Sequence, residues 1–108
     1  MDSRQLAEER SLAYHRRVAD LLVSRPVLVS TARVRAQEWA VSGARHAPYA
    51  REWLGILSGS LDEIRAALVE RSEEGHARRQ ATPFAGALDP RERWRLWREV
   101  RAAWEAST

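Results

Sequence analysis

The chain has 108 residues, no cysteine and a formal net charge of +3, which leaves room for one domain and excludes disulfides, thiolate metal sites and thiol nucleophiles. Its longest apolar runs, such as Leu21-Leu22-Val23 and Val27-Leu28-Val29, fall far short of a membrane span. All 18 basic side chains are arginine, with no lysine or asparagine and with 18 alanines, a balance that a GC-rich genome explains before phosphate binding does.

The opening Met1-Asp2-Ser3-Arg4-Gln5-Leu6-Ala7-Glu8-Glu9 is acidic and polar, unlike a leader peptide, so the expected location is cytoplasmic. A first helix is predicted from Asp2 or Ser3 to about Val23, with Tyr14, Val18, Leu21 and Leu22 forming its buried stripe. Ser24-Arg25-Pro26 ends it, and Ser24 is expected to cap a second helix with Pro26 in the first turn. That helix carries Leu28, Ala32, Arg35 and Trp39 down one side and stops at Ser42-Gly43. Pro48 opens a third, with Tyr49, Trp53, Ile56 and Leu57 at helical spacing, and Ser58-Gly59-Ser60 breaks it. Ser60 through Glu63 has the form of a capping box, opening a fourth helix that buries Leu61, Ile64 and Leu68. Residues 72–81 predict another turn or two capped by Ser72. A loop is expected over 82–89, after which Asp89, Pro90 and the box residue Glu92 start a final helix over 90–105. No alternation of period two appears. The expected fold is all-α: a single irregular or orthogonal bundle of five to six helices spanning residues 1–108, without separate domains.

Little here signals chemistry. Arg10 and His15, and again Arg71 and His76, match the Arg-x4-His pattern of HEPN ribonucleases, which are also small helical proteins. With arginine this frequent, two such matches are about what chance supplies, and residues five apart on a helix point about 140° from one another. His15, His46 and His76 stand about thirty residues apart, which is no ligand spacing for a metal. The serines sit mostly at helix boundaries, where capping accounts for them. Gly55 and Gly59 lack the strand and lysine of a phosphate loop. Neither catalytic residue, cofactor nor metal is therefore expected, and the chain reads as a non-enzyme.

Two surfaces are candidates for binding. Residues 10–35 hold six arginines against one acid, Asp20, so Arg16, Arg17, Arg25, Arg33 and Arg35 form a candidate basic face for DNA. The apolar opening Val27-Leu28-Val29 of the second helix argues against its reading base edges. The second surface is C-terminal. Three of five tryptophans, Trp94, Trp97 and Trp104, lie on the last helix among arginines, either completing the core or forming an interface. Phe84 and Leu88 in the loop, with Arg91, Arg95 and Trp104, are the expected partner-binding residues.

The tract from Arg79 through Thr82-Pro83-Phe84-Ala85-Gly86-Ala87-Leu88 to Asp89-Pro90-Arg91-Glu92-Arg93-Trp94 resembles a C-terminal signature of short proteins of GC-rich bacteria. Tyr14-His15-Arg16-Arg17-Val18-Ala19 and the pair Tyr49 and Trp53 are similar to the same group. That group resembles the small, antitoxin-like partners of toxin–antitoxin pairs. The resemblance implies a protein that binds and neutralises a toxin enzyme encoded by a neighbouring gene. A DNA-binding regulator, acting on its own operon, is the alternative, and a HEPN-like ribonuclease the third.

Overall fold

A computed structural model describes residues 3–43 and 47–107; His46 lies outside them. Helix takes 79% of the described residues, far above the third or so usual in globular domains, and no strand occurs among them. The helices are α1 Ser3–Ser24, α2 Val27–Val41, α3 Ala47–Leu57, α4 Leu61–Leu68, α5 Glu73–Gln80 and α6 Pro90–Ala106. No helix is long and apolar enough to cross a membrane.

α1 is the hub. It packs against α2, α4, α5 and α6, so it buries more than one stripe: Leu6, Leu12, Tyr14, His15, Val18, Ala19 and Leu22. α2 buries only Ala32 and Ala36, small side chains that let its partner α3 come close. Trp53 of α3 fills the centre, edge-on to Phe84 at 6.1 Å. Leu57, Ile64 and Leu68 close the core around it.

The junction between α1 and α2 differs from the expectation. Ser24 is the last residue of α1, and its hydroxyl turns back to the Leu21 carbonyl at 3.4 Å instead of capping α2. Pro26 takes the cap position with helical dihedrals. Arg25 N donates to Leu21 O and Leu28 N to Arg25 O, so the chain never leaves helical geometry long enough to need a side-chain cap.

Three other caps form. Ser60 accepts from Glu63 N at 3.1 Å while Glu63 accepts from Ser60 N at 3.0 Å, a complete box. Ser72 accepts from Gly75 N at 2.9 Å and opens α5. Asp89 accepts from Glu92 N at 3.0 Å, but the Glu92 carboxylate does not close a box; it takes Arg17 Nε of α1 at 2.7 Å. Leu61 is 38% exposed, because its place in the first turn leaves it at the rim of the core that Ile64 and Leu68 enter.

Two glycines give opposite predictions. A Cβ on Gly75 would overlap the Glu70 carbonyl oxygen, whereas one on Gly55 in α3 would meet open space. Gly75→Ala should lower unfolding free energy by about 1–3 kcal/mol, and Gly55→Ala should raise it by about 0.5–1 kcal/mol. Urea denaturation followed by circular dichroism measures both.

Candidate functional site

Residues 81–88 form no helix, so their carbonyl and amide groups have no ladder to join and must find other partners where they are buried. Side chains of the helices supply them. The Tyr14 hydroxyl donates to Phe84 O at 2.6 Å and accepts from Ala87 N at 3.2 Å. Arg35 of α2 donates to Pro83 O at 3.0 Å and Ala85 O at 2.6 Å. Gly86 turns the chain with φ +83°, a conformation that favours glycine. Phe84 and Leu88 are 2% and 3% exposed. The expectation that they stand out as docking residues is therefore corrected: in this bundle the loop folds inward, and both belong to the core with Trp53 and Val18.

His15 anchors the same loop. Its Nδ1 lies 2.7 Å from Ser11 O and its Nε2 2.8 Å from Thr82 Oγ1, while Thr82 Oγ1 accepts from Phe84 N at 3.1 Å. A carbonyl only accepts, so Nδ1 carries the proton, and Nε2 accepts from the threonine hydroxyl. Burial lowers the His15 pKa from 6.5 to about 4, with the Arg79 charge adding to the fall against the pull of the Ser11 carbonyl. Arg10 and His15 do line one cleft, but both imidazole nitrogens are engaged, Nδ1 within α1 and Nε2 in holding the loop. His76 likewise accepts from Arg79 Nη2 at its Nδ1, at 2.8 Å.

The expected basic face does not assemble. Arg17 is paired with Glu92, Arg33 donates to Leu57 O at 2.7 Å, and Arg35 holds the loop. Arg33 and Arg35, two residues apart on one helix, leave it on nearly opposite sides. Only Arg16 and Arg25 of the five lie exposed without such bonds among the described residues. No group of acidic and histidine side chains able to hold a metal occurs among the described residues.

α6 packs against α1 by one side and has no fully buried residue. Trp97 stands edge-on to Tyr14 at 6.3 Å. Trp104 is half-buried and lines a shallow cleft with Ala13 and Arg16 of α1, so it is a packing residue before it is an anchor. Trp94 is the outward tryptophan, 63% exposed. Arg91, Arg95 and Arg98 are exposed around it, and none is ion-paired among the described residues. Arg91 and Arg95 thus remain surface residues as expected, while Trp94 takes the place expected for Trp104. Counting exposed positions against the α1-facing stripe Leu96, Trp97, Val100 and Trp104 would have placed Trp94 aside from it.

A cleft of about 360 Å³ opens between α1, the loop and α6. Arg10, Arg79 and Arg93 line it, with Thr82, Tyr14 and Trp97. Sequence reasoning missed it, because its walls come from four separate parts of the chain. No protein-family model, curated protein or solved structure matches the chain.

Two outcomes test this account of the loop. Tyr14→Phe removes the hydroxyl that joins Phe84 O and Ala87 N, which keep only their 3.1 Å bond to each other, and should cost about 0.5–1.5 kcal/mol of stability with the helix content kept, as urea titration will measure. For His15 the unfolded chain binds a proton below about pH 6.5 and the folded chain only below about pH 4. Stability is thus full above the unfolded value and falls with pH through that window, by roughly 3 kcal/mol over about 2.5 units. Unfolding free energy measured from pH 7 to pH 4 should show that slope, and His15→Gln should flatten it.

Proposed function

We propose that this chain is a protein-binding regulator that docks a partner on the outer face of α6. The observation that carries it is Trp94, 63% exposed and framed by the exposed Arg91, Arg95 and Arg98. Residues 91, 94 and 98 follow helical spacing, so they share one side of the helix. Tryptophan and arginine are the side chains that most often dominate binding energy at interfaces. Unpaired arginines suit an acidic partner, because the guanidinium fork meets carboxylates bidentately.

A protein suits this molecule better than DNA does, since three of the five arginines expected to form the basic face are committed to Glu92, Leu57 O and the 83–85 backbone. The partner class follows from the resemblance of the 79–94 tract: a toxin enzyme encoded beside this gene, which the chain neutralises as an antitoxin does.

The experiment is coexpression of the tagged chain with the product of the adjoining gene, followed by calorimetric titration of the purified pair. Trp94→Ala and Arg95→Glu should each weaken the complex by at least ~2 kcal/mol, roughly thirtyfold, with melting temperature unchanged because both side chains are exposed. A complex of undiminished affinity with both variants moves the interface away from α6. Failure of the two chains to associate at all rejects the proposed partner.

A further inference from the structure

The cleft between α1 and α6 carries an imbalance of charge. Arg79 is 2% exposed, yet its hydrogen bonds go to neutral acceptors: Leu68 O at 3.3 Å, Glu70 O at 2.8 Å and His76 Nδ1 at 2.8 Å. It has no carboxylate partner among the described residues, and its Nε is buried without any partner. A buried cation without a counter-charge is costly. Arg10, half-buried on α1, likewise has a buried Nε with no partner. Arg93 reaches the same cleft from α6, with no ion pair among the described residues.

Three arginines therefore line one cavity, and no acidic side chain among the described residues lines it. His15 beside them is neutral at physiological pH, because its burial disfavours the charged ring. The hydroxyls of Tyr14 and Thr82 are already committed to the loop, and the Arg79 Nη atoms to Leu68 O, Glu70 O and His76, which leaves Arg79 Nε, the guanidinium groups of Arg10 and Arg93 and the Ser11 hydroxyl as donors. The rest of the wall is Trp97 with Ala7, Ala85, Gly86 and Ser11. A volume of about 360 Å³ falls at the lower end of small-ligand sites.

We infer that this cleft binds a small aromatic phosphate of nucleoside-monophosphate size, its phosphate among Arg10, Arg79 and Arg93 and its ring against Trp97. Guanidinium groups match phosphate oxygens in planar pairs, and an indole offers a face on which any base stacks. An anion here supplies the counter-charge that Arg79 lacks. The site is separate from the outer face of α6, so its test does not depend on the partner proposed above.

Adenosine 5′-monophosphate, uridine 5′-monophosphate, adenosine and inorganic phosphate are titrated calorimetrically into the whole protein at low salt. Both nucleotides should bind saturably and raise the melting temperature, and adenosine and phosphate should bind at least about tenfold more weakly. Arg10→Gln and Arg93→Gln should each weaken nucleotide binding by about tenfold, equivalent to about 1.4 kcal/mol. Arg93 is exposed, so its variant keeps the fold and the test remains decisive even where Arg10→Gln loses stability. Trp97→Leu should weaken the nucleotides more than inorganic phosphate. The inference is overturned by the absence of saturable nucleotide binding at about 10 mM, by adenosine binding as well as its phosphate, or by Arg93→Gln binding nucleotides like the parent.

Discussion

Everything in this bundle is arranged around the need to bury residues 81–88, a stretch with no helical hydrogen bonds of its own. Phe84 and Leu88 supply apolar surface that the small helices cannot, but their backbone comes with them, and each buried carbonyl or amide left unpaired costs about 1–3 kcal/mol. Tyr14, His15, Thr82 and Arg35 answer that cost together. The arrangement is cooperative by construction. Thr82 Oγ1 accepts from Phe84 N while its own proton goes to His15, and Tyr14 serves an acceptor and a donor through a single oxygen. α1 consequently holds the loop on one flank and α6 on another, and the cleft is the space left between the two attachments.

The arginines have a second office besides charge. Arg33 donates to Leu57 O, the last residue of α3, and Arg79 to Leu68 O, the last residue of α4. Arg65 donates to Ala19 O and Arg35 to Pro83 and Ala85. Helix C-termini leave carbonyls unsatisfied and carry partial negative charge, so a long cation with five donors suits them. An arginine-only composition thus looks basic in sequence, while Arg33, Arg35, Arg65 and Arg79 are turned to backbone oxygen. That is why counting Arg16, Arg17, Arg25, Arg33 and Arg35 along the chain pointed to a face that the folded molecule does not present.

Local signals were readable and distant ones were not. Ser60, Ser72 and Asp89 cap the helices expected of them, because a cap depends on residues three apart. Ser24 and Glu92 departed from expectation for reasons lying elsewhere: α1 runs almost directly into α2, and Arg17 claims the Glu92 carboxylate. Phe84 and Leu88 looked exposed because an apolar residue beside Gly86 has few neighbours in sequence, whereas the partners that bury them, such as Trp53 and Tyr14, come from distant helices. The tract 79–94 is physically a folding instruction, since Arg79, Pro83, Phe84 and Leu88 are all inside; what it specifies directly is this clamped loop. The cleft was invisible for the same reason, its arginines being brought together only by the docking of α5, the loop and α6 on α1.

The outer side of α6 is the part of the molecule that folding does not explain. This helix needs little burial to form: Asp89 caps it, Pro90 starts it, and Arg, Glu, Leu and Ala fill most of its length. Leu96, Trp97, Val100 and Trp104 give it one half-buried side against α1, and Glu92 fixes its entry through Arg17. Positions turned away from that side are free to be any polar helix former, as Arg91, Arg95 and Arg98 are. Trp94 is the departure. It caps nothing and lies 63% exposed, and a polar residue there would serve helix and solubility better. Local propensity, packing and solvation all argue for another side chain there, and that mismatch is what the docking proposed for this face rests on.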